Sequence, residues 1–217
     1  MARPPIASLA ETDLTLTVAG GPQLEARLAA GPGRAGLVAC HPHPLYGGDM
    51  DNPVVVRAVE VAQEAGLATL RFNFRGVGRS GGTHGGGEAE QDDVAAAVMA
   101  LRATLPPAAP VGLLGYSFGA GVASRVAAAD PTLAALALVA PPMTMYDWAH
   151  VTPGPRPLLL VAGTRDTYCP VPALDALAAR LPGAERVLID GADHFFFGKL
   201  FPMGEAVAAW IRRWSGD

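Results

Sequence analysis

What most constrains this chain is a series of short segments that are apolar at nearly every position: Ala35–Cys40, Leu67–Phe72, Val111–Gly115, Leu133–Ala140, Leu158–Ala162 and Arg186–Ile189. A strand with one wet face alternates polar and apolar residues, whereas a strand covered on both faces does not. Each segment runs into a loop, and most are followed by a stretch with helical spacing: Pro53–Ala65, Glu88–Leu105, Phe118–Ala129, Val171–Arg180 and Met203–Arg213. Asn52-Pro53 offers an N-cap and an N1 proline, and Glu88, Glu90, Asp92 and Asp93 crowd the start of the second helix, where acids favour the helix dipole. Alternation of this kind predicts an α/β fold with a mostly parallel, doubly wound sheet and helices on both faces. Upstream, Thr12–Val18 and Gln23–Leu28 alternate around Gly20-Gly21-Pro22, which predicts an N-terminal antiparallel hairpin. Residues 141–157 are too few for an inserted domain, so the expected cap is minimal or absent.

Length and charge narrow the partners. The 217 residues suit one α/β domain, 1–217, and a net charge of −4 without long single-sign runs gives no footprint for nucleic acid. The most apolar stretch, Leu133–Met145, is broken by Pro141-Pro142, and residues 1–10 hold no apolar core of a secretion signal. The expectation is a soluble cytoplasmic protein that does not engage a membrane. Cys40 and Cys169 form no CxxC, and His41 and His43 lack a third ligand cluster, so neither a metal nor a disulfide framework is expected. Gly76-Val77-Gly78-Arg79-Ser80-Gly81 matches G-x-G-x-x-G but runs into further glycines rather than opening a helix. A dinucleotide has no helix N-terminus to sit on there, and no cofactor is expected. The loop reads instead as a backbone turn, with Arg75 or Arg79 pairing to Asp92 or Asp93.

In an open parallel sheet, ligands bind beyond the carboxyl ends of the strands. Directly after Val111–Gly115 comes Gly115-Tyr116-Ser117-Phe118-Gly119, followed by the small-residue run Ala120-Gly121-Val122-Ala123. The pentapeptide alone is a modest signal, but here G-x-S-x-G lies in the strand-turn-helix setting that the chemistry needs. A turn sharp enough to expose Ser117 crowds the positions two before and two after it, which only glycine tolerates. A serine hydroxyl needs a positioned base, and the base needs an orienting acid. Asp166 follows the strand Leu158–Ala162, and His194 follows Arg186–Ile189. Asp175 falls within a helix, Asp190 and Asp193 lie too near His194 in sequence, and Asp147 follows a different strand, so Asp166 is the expected acid.

Gly115–Gly119, Asp166 and His194, in that order, resemble the α/β-hydrolase superfamily. His41-Pro42-His43-Pro44-Leu45-Tyr46-Gly47-Gly48 and Arg71–Gly81 resemble a compact, lidless bacterial group of it, close to dienelactone-hydrolase-like proteins. The resemblance implies that the loop after the first parallel strand supplies an oxyanion-hole amide. Prolines 42 and 44 have no N–H, so the expected donors are the amides of His43 and Phe118, with Leu45 as second choice. Leu45, Tyr46, Met143, Tyr146, Trp148, Tyr168 and Phe195 fall in loops past strand ends and suggest an apolar acyl or aryl pocket. His84 reads as solvated, His150 as a residue not placed opposite Ser117, Cys40 as buried and Cys169 as partly accessible. The function expected is a serine esterase acting on small-molecule carboxylic esters through Ser117, His194 and Asp166. Lactone or dienelactone opening, amide or peptide hydrolysis and acyl transfer use the same residues and stay open, as does a non-catalytic binding protein on this fold. A homodimer is also left open.

Overall fold

The computed structural model describes residues 10–216. An eight-stranded sheet has the order β1-β2-β4-β3-β5-β6-β7-β8. The strands are β1 Glu11–Thr17, β2 Gln23–Ala29, β3 Gly36–Cys40, β4 Ala68–Phe72, β5 Val111–Tyr116, β6 Ala135–Val139, β7 Leu158–Gly163 and β8 Glu185–Ile189. β1 and β2 form the antiparallel hairpin, and β2 also joins the rest of the sheet antiparallel, through β4. From β4 to β8 every pairing is parallel.

The helices are α1 Pro53–Glu64, α2 Glu90–Ala103, α3 Phe118–Ala129, α4 Val171–Ala179 and α5 Leu200–Ile211. The central strands are buried on both faces because successive side chains feed two separate cores. Leu37 and Ala39 of β3 and Leu114 and Tyr116 of β5 pack with α1 and α5. Val38 and Cys40 of β3 and Leu113 of β5 pack with α2, α3 and α4. Continuous apolar strands are what such a two-sided arrangement requires.

Several boundaries differ from the sequence reading for physical reasons. α5 begins at Leu200, three residues before Met203, because Pro202 lies in the first turn, where a missing N–H costs no intrahelical bond. α2 begins at Glu90 rather than Glu88, since the Glu90 side chain turns back onto the loop before it. β6 is shorter than Leu133–Ala140; Ala140 leaves it with φ 44°. A 3-10 turn at Pro44–Tyr46 was not foreseen. Residues 141–157 contain no helix or strand, so this segment adds no folded cap, although Trp148 and Val151 pack into the core.

The glycine-rich segment after β4 is pinned by buried polar groups. Asn73 Nδ2 donates to Glu25 Oε2 at 2.9 Å, Asn73 Oδ1 accepts from the Met50 amide at 2.8 Å, and Ser80 Oγ donates to the Asn73 carbonyl at 2.7 Å. The Arg79 amide donates to Glu25, which holds that carboxyl below its ordinary pKa. Gly76, Gly78 and Gly82 all have positive φ, the turn geometry expected in place of a dinucleotide loop. Arg75 pairs with Asp93, Nη2 to Oδ1 at 2.6 Å, while Arg79 pairs with Glu25 at 2.9 Å rather than with Asp92 or Asp93. Asn73→Ala strands the Met50 amide and removes one of the donors to Glu25 Oε2, which keeps the Arg79 amide, and should cost about 1–3 kcal/mol. The check is urea unfolding: the midpoint should fall at unchanged slope, and an unmoved midpoint would refute the role given to Asn73.

Candidate active site

Ser117 sits between β5 and α3 with φ 54° and ψ −117°. A non-glycine residue held there is strained by about 1–3 kcal/mol, so the surroundings must enforce the turn. The Ser117 amide donates to the Val139 carbonyl at 2.9 Å, and its own carbonyl accepts from Ala120 at 2.9 Å. Neither flanking glycine has room for a side chain. A Cβ on Gly115 would lie 2.2 Å from the Gly119 carbonyl oxygen, and one on Gly119 would lie 2.6 Å from the carbonyl oxygens of both Cys40 and His41.

The turn brings Ser117, His194 and Asp166 into one hydrogen-bonded chain. Ser117 Oγ is 2.9 Å from His194 Nε2, and His194 Nδ1 is 2.8 Å from Asp166 Oδ2. Asp166 Oδ1 accepts from the amides of Tyr168 and Cys169 at 2.8 and 2.9 Å. A carboxylate that only accepts assigns the proton between them to His194 Nδ1, leaving Nε2 to accept from the serine hydroxyl. The three side chains are set just below the surface, with Ser117 9%, His194 8% and Asp166 5% exposed. Two further contacts fix the histidine. The Tyr116 hydroxyl donates to the His194 carbonyl at 3.0 Å, and burial together with nearby Asp166 and Asp193 pushes its pKa up. β7 passes so close to residue 192 that a Cβ on Gly163 would lie 2.2 Å from the Ala192 carbonyl oxygen.

The competing acids are engaged elsewhere. Asp193 Oδ1 accepts from the Phe195 amide, Asp147 Oδ1 from the Ala149 amide, and Asp175 pairs with Arg186.

The loop after β3 has mostly committed amides. Leu45 donates to His43 Nδ1 at 3.2 Å, Tyr46 and Gly48 donate to the His43 carbonyl, and Gly47 donates to the Pro44 carbonyl. The His43 amide has no acceptor among the described residues, and neither has the Phe118 amide at the start of α3. Leu45, the second choice, is thereby spent on holding the histidine ring.

His41 is buried just behind this loop. Its Nε2 accepts from the Phe74 amide at 2.9 Å, and its Nδ1 lies 2.6 Å from the Pro42 carbonyl oxygen, so Nδ1 carries the proton. Burial lowers its pKa from 6.5 to about 4, against the hydrogen bond to Pro42.

The apolar residues divide. Tyr168 and Phe195 bring their rings 4.8 and 5.5 Å from that of His194, while Tyr46 and Phe118 flank the His43 ring at 4.8 and 4.9 Å. The Tyr46, Tyr168 and Phe195 rings stand as a rim, with Tyr46 81% and Phe195 62% exposed, rather than as a closed pocket, whereas Phe118 is buried. Leu45 is exposed as well. Met143 and Tyr146 are half-buried against the core, with Tyr146 beside Gly121 and Arg125. Trp148 is a correction: it is 4% exposed inside the core, with its ring stacked on His150, and has no surface to give a ligand.

Other placements also differ from expectation. Cys169 is fully buried because it packs behind Asp166, and burial raises its pKa, as it does for Cys40. His84 is not solvated; its Nδ1 lies 3.0 Å from Glu90 Oε1, and its ring packs on His43 and Phe118. His150 Nε2 lies 2.8 Å from Ser124 Oγ, at a cavity of about 670 Å³ whose walls include neither Ser117 nor His194. The loop of glycines and acid around His84 was the signal that sequence reasoning passed over.

Comparisons with known proteins agree with this architecture. The sequence model for the alpha/beta hydrolase fold matches residues 46–156, and an uncharacterised protein of Rickettsia prowazekii is 33% identical over 188 residues, covering 82% of this chain and 79% of its own length. The chain belongs to the alpha/beta hydrolase fold family. Among solved structures, an α/β serine hydrolase without lid from Xanthomonas campestris superposes with the hydrolase at a TM-score of 0.86 and 32% identity, covering 98% of this chain and 99% of that one. An α/β serine hydrolase homologue from Coxiella burnetii gives 0.84 and 34%, covering 91% and 96%. Among the described residues of the hydrolase, no group of three or more His, Cys, Asp or Glu side chains is placed to hold a metal, and no helix is long and apolar enough to cross a membrane.

The His41 environment makes acid stability testable. Its folded pKa of about 4 lies below the unfolded value of 6.5, so its stabilising contribution is complete above pH 6.5 and is lost as pH falls towards 4. The loss is about 3 kcal/mol over that window. Chemical unfolding at pH 7, 5.5 and 4.5 should show a shallower decline for His41→Gln than for the parent; equal slopes would contradict the assignment.

Proposed function

We propose that the hydrolase cleaves small carboxylic esters by way of an acyl-enzyme. The observation that carries this reading is the unbroken chain from Ser117 Oγ through His194 to Asp166, with spacings of 2.9 and 2.8 Å. Ser117 attacks the acyl carbon while His194 Nε2 takes its proton, and the resulting imidazolium is steadied by Asp166 across Nδ1. The oxygen that gains charge is met by the amides of His43 and Phe118, both without another acceptor among the described residues. His194 then returns the proton to the leaving alcohol, and a water activated by the same nitrogen releases the acid and regenerates Ser117. These steps call on no cofactor.

Substrate size follows from the rim. Tyr46, Leu45, Tyr168 and Phe195 stand exposed around the serine, and residues 141–157 build no roof, so a long acyl chain has no tunnel to lie in. A short acyl or aryl group resting on those rings loses less by remaining partly wet. The reading therefore favours soluble, short-acyl esters.

Organophosphonate treatment followed by mass spectrometry should place one adduct on Ser117, and Ser117→Ala should lower turnover of p-nitrophenyl acetate by about 10³-fold or more. Butyrate and acetate esters should be turned over faster than palmitate. Absence of an adduct would favour a binding protein, and faster palmitate cleavage would refute the open-rim argument.

A further inference from the structure

A second carboxylate–imidazole pair, Glu90 and His84, lies beside the Phe118 ring. Glu90, the first residue of α2, is completely buried. A carboxylate removed from water needs partners for its oxygens. Here the Gly85 amide donates to Oε1 and the Gly87 amide to Oε2, both at 2.7 Å, while His84 Nδ1 stands 3.0 Å from Oε1 as an electrostatic neighbour without hydrogen-bond geometry. Gly86 and Gly87 have φ of 72° and 95°, a backbone shape that wraps both amides around one side chain. The Glu90 carboxylate therefore fixes the backbone of residues 85–87, and with it the place from which the His84 ring projects.

That segment backs the two residues whose amides are assigned to the oxyanion. The His84 ring lies 5.0 Å from the His43 ring and 5.4 Å from that of Phe118. A Cβ on Gly87 would stand 3.6 Å from the Phe118 ring, so residue 87 faces that ring with room for one methyl group between them. On its other sides, His43 has the Phe118 ring at 4.9 Å and the largely exposed Tyr46 ring at 4.8 Å. The inner wall of the loop is thus made by His84 and Phe118, and Glu90, by holding the amide of the next residue, Gly85, sets where the His84 ring stands.

We propose that Glu90 and His84 form a positioning pair for the oxyanion hole, acting through the His43 and Phe118 rings to hold the two amides in register with Ser117. The inference rests on the ester-cleavage reading above. Neither residue touches the reacting atoms. Displacing an oxyanion donor by a fraction of an ångström weakens the tetrahedral state far more than the bound ester, so the effect belongs in kcat and not in KM.

The test uses the full chain with Glu90→Gln, His84→Ala and His84→Phe, each shown to be folded by its near-ultraviolet circular dichroism and thermal midpoint. Glu90→Gln leaves one loop amide facing an NH2 group; His84→Ala removes the wall; His84→Phe keeps the ring contacts and loses only the nitrogen. The expected result is a fall in kcat for p-nitrophenyl butyrate of about 10- to 100-fold in Glu90→Gln and His84→Ala, with KM within about threefold. Affinity for a short-chain trifluoromethyl ketone, whose adduct carries the oxyanion, should fall in parallel, and His84→Phe should recover most of the loss seen in His84→Ala. Folded His84→Ala with parental kcat and ketone affinity would overturn the proposal, as would a loss confined to KM, even if Glu90→Gln fails to fold. If these variants behave as the parent while Ser117 still takes the phosphonate, only the positioning pair is refuted. If Ser117 in the parent takes no phosphonate, the ester reading falls and this inference with it.

Discussion

Everything at the active edge depends on one backbone conformation, that of Ser117 at φ 54°. An L-residue does not rest there unaided, and two close approaches, of Gly115 to Gly119 and of Gly119 to the end of β3, supply the restraint. The same approaches tie β5, α3 and β3 into one rigid corner. A hydroxyl mounted on that corner moves only if the centre of the sheet moves. His194 and Asp166 come from loops after β8 and β7, which are held to the same sheet by parallel pairing. The geometry of three distant side chains is thereby inherited from strand register.

Buried charge provides the second layer of restraint. Arg71 reaches Glu11 with Nε at 2.8 Å, the Met50 carbonyl at 2.8 Å, and Asp51. Arg75 closes on Asp93, and Glu90 gathers the amides of Gly85 and Gly87. Each of these groups would be expensive to bury alone, and each is satisfied by backbone from a loop that would otherwise be free. The loops on the carboxyl side of β3 and β4 therefore behave as parts of the core although they carry many glycines.

How much of this could be read beforehand follows from what each signal encodes. The parallel strands were legible because two-sided burial writes itself as uninterrupted apolar residues, and the order of Ser117, Asp166 and His194 was legible because each directly follows such a run. The antiparallel join of β2 to β4 was not, since nothing local to either strand records its neighbour. Apolar character did not tell rim from interior: Trp148 went inward and Tyr46 outward, though both follow strand ends. The bond from Leu45 to His43 Nδ1 and the grip of Glu90 on residues 85 and 87 depend on a few tenths of an ångström, which composition does not carry. Glu90 was noticed only as an acid at a helix start, and its partners lie behind it in a loop whose shape had to be seen.

Serine is among the preferred residues for capping a helix, where its oxygen closes off an otherwise bare amide and contributes about 1 kcal/mol. At the start of α3, Ser117 makes no such bond, because its hydroxyl is turned to His194. The helix forgoes part of its own stability, and its amino end keeps an unquenched positive potential beside the hydroxyl. On the proposed reading, replacing Ser117 by a residue that terminates α3 more comfortably would give a sturdier helix and a chemically silent one, so thermal robustness and the proposed reactivity draw on the same hydrogen-bonding capacity.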